Sequence, residues 1–159
     1  MGKAFNIAEE GHVSFGSYPI AATGVTTLDA INMEGYSHLS AIIGFGATNG
    51  TDITVTAYEA TDNAATGADL LAFSYYQETT ASTDVLGARV LNSTTALAFD
   101  NSATSNIFAV IEIDASQLSD GHNWVNLTLS SNSDTTPFTV VYIQSGARYS
   151  GPESPTVLS

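Results

Sequence analysis

The residues best placed for acid–base chemistry are Glu112 and Asp114. They stand two apart in a β-branched and aromatic stretch, so on a strand they share one face. Glycoside hydrolysis uses such a pair, with carboxyl groups about 5 Å apart in retaining enzymes and farther apart in inverting ones, usually from different strands. Asp114 also opens Asp114-Ala115-Ser116-Gln117, which has the form of a capping box at the start of one helical turn. That structural use competes with catalysis.

Other chemistry lacks local support. His12, His38 and His122 lie in separate contexts, without the short spacings that converge on zinc. Gly44-Phe45-Gly46 and Gly50 are followed by no helical segment whose N-terminus could hold a pyrophosphate. Nucleophile-elbow, phosphate-loop and zinc-protease motifs are absent, and a serine triad, recognised by geometry, has no sequence support. The loop at 62–69 offers oxygen ligands to calcium, but it departs from the EF-hand register and reads equally as a solvated turn. Tyr75, Tyr76 and Trp124 stand at strand ends and offer an alternative platform for a sugar or a receptor. The plainer alternative puts one tyrosine in the core and the other over a sandwich edge. Sequons at Asn49, Asn92 and Asn126 carry weight only in a secreted chain. No catalytic residue, metal ligand or cofactor is assigned.

Charge narrows the partners. Lys3, Arg89 and Arg148 are the only basic side chains against 16 Asp and Glu, for a net charge of −13. So few cations cannot neutralise a nucleic-acid backbone or hold an anionic membrane surface. A protein surface or a neutral ligand remains. Cysteine is absent, so neither a disulfide framework nor a thiolate site is available. The first twenty residues lack a sustained apolar core and meet Glu9 and Glu10, which argues against a secretion signal. The longest apolar run, at 41–47, contains two glycines and is too short to span a membrane.

These side chains must be positioned by strands. Residues 39–45 form a near-continuous apolar run, the pattern of a strand buried on both faces. Residues 53–57 alternate, with threonine hydroxyls on one side. Further strands are expected at 25–31, 70–76, 85–91, 95–99, 107–113, 124–130 and 138–143, with Pro137 introducing the last and Asn49-Gly50 marking a hairpin. Eight or nine short strands, and no helix beyond a turn, predict a single all-β domain: an antiparallel two-sheet sandwich, with jelly-roll order favoured by the strand count and long loops. Phe5, Ile7, Val13, Phe15, Tyr18 and Ile20 follow no firm period. Residues 1–24 therefore read as an extended arm that packs on an external surface, or else as an edge strand. The sandwich occupies 25–147, and 148–159 form a tail.

The stretch Gly35-Tyr36-Ser37-His38-Leu39-Ser40-Ala41-Ile42-Ile43-Gly44-Phe45-Gly46 leads through Gly50-Thr51 into Ile53-Thr54-Val55-Thr56-Ala57-Tyr58-Glu59-Ala60-Thr61-Asp62. With Asp114-Ala115-Ser116-Gln117-Leu118, Asn123-Trp124-Val125-Asn126-Leu127 and Gly146-Ala147-Arg148-Tyr149, it resembles the small β-rich cement, or decoration, proteins of tailed-bacteriophage heads. The similarity covers residues 30–150 in strand texture and short tags. It implies a non-enzymatic structural protein of the virion, made in the host cytoplasm and bound to the capsid exterior. The implied partners are the major capsid protein and two further copies in a homotrimer, with no nucleic acid, membrane or cofactor. Phe5, Ile7, Phe15, Tyr18 and Ile20 would be the arm's contacts to the capsid or a neighbouring protomer, and removing residues 1–20 is expected to abolish docking while leaving a folded sandwich. The alternative is a carbohydrate- or receptor-binding sandwich using Tyr75, Tyr76 and Trp124.

Overall fold

Period-two alternation sets which side of each strand enters the core. The computed structural model describes residues 6–46, 53–78, 80, 82–99 and 106–147; Phe5, the Asn49-Gly50 turn and residues 148–159 lie outside them. The strands are β1 (Gly11–Thr27), β2 (Ile31–Asn32), β3 (Tyr36–Phe45), β4 (Ile53–Ala60) and β5 (Asp69–Leu70). After these come β6 (Phe73–Gln77), β7 (Val90–Thr94), β8 (Ala96–Phe99), β9 (Ile107–Asp114) and β10 (Trp124–Ala147). Among the described residues, helix is confined to one turn, α1 (Ile7–Glu10), and a 3-10 turn at Ala115–Gln117.

Two antiparallel sheets pack as a sandwich, and the two longest strands belong to both. In the first sheet β4 is flanked by β5 and β8 on one side and by residues 124–131 of β10 on the other; β2 and residues 24–27 of β1 lie beyond. The second runs β7-β6-β9-β3, then residues 137–147 of β10, then residues 11–22 of β1. Pro137 does not begin a strand, as its position in the sequence suggests. It lies inside β10 at the corner between the two sheets, paired with Ala21, and its carbonyl accepts the Gly46 N–H at 2.8 Å. A proline fits here because a corner relaxes the demand for a donor at every ladder position.

The inner faces supply the core. Leu39, Ala41, Ile43 and Phe45 of β3, Ala109, Ile111 and Ile113 of β9, and Phe138, Val140 and Tyr142 of β10 line the second sheet. Ile53, Val55 and Ala57 of β4, Leu97 and Phe99 of β8, and Val125, Leu127 and Leu129 of β10 meet them from the first. Phe45 and Phe99 close the gap edge to face, with centroids 4.8 Å apart. Each large side chain buried in this way contributes roughly 1.5–3 kcal/mol by leaving water.

The N-terminal segment takes the edge-strand form. Its backbone pairs with β10 from Gly11 to Thr27, past residue 24, and register shifts fall between Phe15 and Ser17, between Ser17 and Ile20, and between Ala22 and Gly24. Those irregularities erase a steady period from the sequence, because each one changes which side chains face outward. Gly16 sits at the first of them. A Cβ there would lie 2.5 Å from the Tyr142 ring, so the bulge needs glycine for close approach.

Candidate functional site

The outer faces of the two sheets differ in chemistry. Directly paired residues of antiparallel strands point to the same side. On the second sheet this aligns Phe15, Val141, Ile42, Val110 and Tyr76 in one row across β1, β10, β3, β9 and β6. The row spans about 19 Å, four inter-strand spacings. Val13 and Ile143 extend it along β1 and β10. These side chains face away from the core: Phe15 and Val13 are exposed, and the others are half-buried. No charged residue stands in the row. On the first sheet the corresponding rows are Thr56, Thr128, Thr27 and Thr54, Ser130, Val25. A water-facing sheet surface is ordinarily polar, as this one is; an apolar one marks contact with something else.

The edge strand continues the apolar surface. Tyr18 is 58% exposed, and Phe15 stacks on it with centroids 4.8 Å apart across the bulge; Ile20, 44% exposed, pairs with the core residue Phe138 and so lies on the other side of the strand. From Gly11 to Thr27 the strand holds no Asp, Glu, Lys or Arg. Edge strands commonly carry charges that discourage further pairing. This one relies on bulges and Pro19 alone.

Beside the apolar row lies a polar cluster that no local motif announces. The strand register places His38 opposite Asp114 and Ser40 opposite Glu112. His38 Nδ1 is 2.8 Å from Asp114 Oδ1, and its Nε2 is 2.7 Å from Glu112 Oε2. Ser40 Oγ donates to the same Glu112 oxygen at 2.6 Å. Burial of the ring works against its charged form, but the hydrogen bonds to Asp114 and Glu112, with their charges, outweigh it and raise His38 above its ordinary value. As imidazolium the ring donates from both nitrogens. The space that a glycosidase keeps between its acid and its base is filled by imidazole.

The other sequence candidates are dispersed. Tyr75 turns inward against the core, edge to face with Phe73, while Tyr76 turns outward in the apolar row. Trp124 is on the first sheet, two residues from Asn126, which pairs with Tyr58. Its companion on that face is therefore Tyr58, and the trio of Tyr75, Tyr76 and Trp124 does not assemble. Ile7 lies in α1, ahead of the edge strand that holds Phe15, Tyr18 and Ile20. His122 Nε2 lies 3.9 Å from Asp69, and His12 stacks on Tyr36, so the histidines stay apart. Asp62 Oδ1 accepts the N–H groups of Ala64 and Thr66, both at 3.0 Å, closing its own loop. Among the described residues no group of three acidic, His or Cys side chains is arranged to hold a metal ion. The residues missed by motif, Ile42, Val110 and Val141, do carry a signal: apolar runs at 39–45, 107–111 and 138–143 that do not alternate.

No protein-family profile matches the chain, and no curated protein matches it. A solved structure, the SPBc2 prophage-derived protein YomS, aligns over 86% of this chain and 94% of its own, with 17% identity and a TM-score of 0.45. At that identity and score it brings no function to this chain.

Proposed function

We propose that the chain is a structural protein without catalytic activity, a decoration protein that docks as an oligomer on the outside of an assembled tailed-bacteriophage capsid. The observation that carries this reading is the charge-free apolar row Phe15–Val141–Ile42–Val110–Tyr76 on the outer face of a chain whose net charge is −13. Such a face gains free energy only when another surface covers it. The resemblance of the β3, β4 and 114–127 segments to decoration proteins names that surface: the capsid, and the neighbouring copies of a trimer. Anionic character suits an outer coat and would serve poorly against packaged DNA. Because the chain binds the assembled shell and not its free subunits, mass action stabilises the shell.

Mixing with purified heads that lack the protein, followed by sedimentation, tests the reading. Wild type is expected to pellet with the heads. Phe15→Thr with Val141→Thr places threonine, a β-branched strand former, at both positions and removes apolar contact. It is expected to weaken attachment by about thirtyfold, from about 2 kcal/mol of lost burial. Equal pelleting of both proteins overturns the role of this face, and pelleting of neither overturns the reading.

A second reading draws on the first sheet. Trp124 and Tyr58 share a face with the hydroxyls of Thr56 and Thr128, a neutral combination suited to stacking on and hydrogen-bonding a sugar. A glycan array with wild type and Trp124→Ala decides it. The decoration reading expects no glycan signal, and a signal lost in the variant favours the sugar.

A further inference from the structure

We propose that His38 is a charge switch set beside the docking face: protonated, it locks β9 to β3 and halves the local negative charge; neutral, it leaves the carboxylates next to the apolar row without a counter-cation and loosens attachment. The inference rests on the reading of the second sheet's outer face as the docking surface. Its geometry does not.

The clamp joins two strands through one ring. Glu112 and Asp114 lie two apart on β9, and the ring from β3 reaches both, at 2.7 and 2.8 Å. Side-chain exposure is 29% for His38, 17% for Glu112 and 52% for Asp114, so the Glu112 contact is the drier of the two. The groups facing the ring can be named element by element. From β9 they are the two carboxylates; from β10 the row supplies Ser145, and from β1 Gly11. On β3 itself the same side carries Tyr36 and Ser40, and the 3-10 turn Ala115–Gln117 has no titratable side chain. Among the described residues these groups include no second cation, so loss of the proton leaves two carboxylates with one neutral ring between them. A neutral imidazole donates from one nitrogen only, so one carboxylate then loses the ring as a donor, while Glu112 keeps the Ser40 hydroxyl.

The position gives the clamp its consequence. Ser40 and Glu112 occupy the row containing Val13 and Ile143, immediately next to Phe15–Val141–Ile42–Val110–Tyr76. Any surface seated on the apolar row sits against the clamp. With His38 protonated that surface meets one net negative charge; with His38 neutral it meets two, with no cation between them. Desolvating a carboxylate that has lost its counter-cation opposes docking.

The sign follows from linkage. The folded value lies above the ordinary 6.5, so the stabilisation is complete below that pH and lost as pH rises through the folded value. The composition isolates the effect. The chain has no cysteine, and histidine is the side chain whose ordinary value lies nearest neutral pH.

The test uses the full chain. Long-range proton–nitrogen NMR follows the His38 ring through pH 5.5–9.5, with thermal melts of wild type and His38→Gln over the same range. Sedimentation with purified heads lacking the protein is run at pH 6 and pH 8.5. The ring is expected to titrate above 6.5, the wild-type melting temperature to fall by about 3 °C across the window, and head-bound protein to drop several-fold at the higher pH. His38→Gln is expected to flatten both profiles. A ring that titrates at or below 6.5, a variant with the wild-type pH dependence, or equal attachment at the two pH values overturns the switch. Attachment at neither pH, with the ring titrating high, overturns the docking reading instead, and with it the switch's effect on docking.

Discussion

Single residues hold this sandwich at points where the strand pattern gives no instruction. Glu78 is buried, and its carboxylate accepts the N–H groups of Thr83 at 2.7 Å, Asp84 at 3.0 Å and Phe108 at 3.2 Å. It pins the turn after β6, in which Ser82 and Asp84 take positive φ, and ties that turn to β9. Burial pushes the Glu78 carboxyl up, but the three N–H bonds outweigh it and hold the group below its usual range. Glu78→Gln is expected to cost about 2 kcal/mol at neutral pH by chemical denaturation. Because the folded value is depressed, that difference is present above about pH 4.5 and shrinks as pH falls through the folded value. Gly16→Ala drives a Cβ into the Tyr142 ring and is expected to destabilise by about 2 kcal/mol, visible in a thermal melt. At this scale the sequence was only partly legible. That Glu112 and Asp114 share a face follows from their spacing. That His38 joins them does not, because the partners lie 74 and 76 residues away and only the β3–β9 register brings them together.

At the scale of elements, β1 and β10 decide the architecture. Each passes through both sheets, so the edge of the sandwich is one continuous strand and its neighbour. Removing residues 1–20, which the arm reading expects to be harmless to the fold, strips the pairing between Gly11–Ile20 and Phe138–Ser145. It also uncovers Tyr142, which Gly16 covers. That truncation is therefore expected to lower the melting temperature by several degrees, and point changes on the outer face are the cleaner probe of docking. The alternation at 53–57 gave β4 directly, with Thr54 and Thr56 outward. The run at 39–45 suggested burial on both faces, yet within the chain only Leu39, Ala41, Ile43 and Phe45 are buried. The difference has physical content: the uncovered side of the run is the candidate docking face. Strand order was not legible, because no local pattern states which sheet a strand joins or where a long strand turns its corner.

For the whole molecule, charge and apolar surface are separated in space. A chain with 16 acidic and 3 basic side chains presents one outer row with no charge at all. On the docking proposal, two such chains repel at long range and gain free energy where the apolar rows are covered. Raising salt from about 50 to 500 mM screens the repulsion and is expected to leave attachment unchanged or strengthened, where a cation-mediated contact would weaken. Strand count made the fold class legible; the outer apolar row needed the register. The most direct measurement is sedimentation with purified heads that lack the protein, comparing wild type with the Phe15→Thr, Val141→Thr double variant. Wild type in the pellet, with the folded variant left in the supernatant, is the expected result. A folded wild type that stays in the supernatant at every pH and salt concentration contradicts the docking claim.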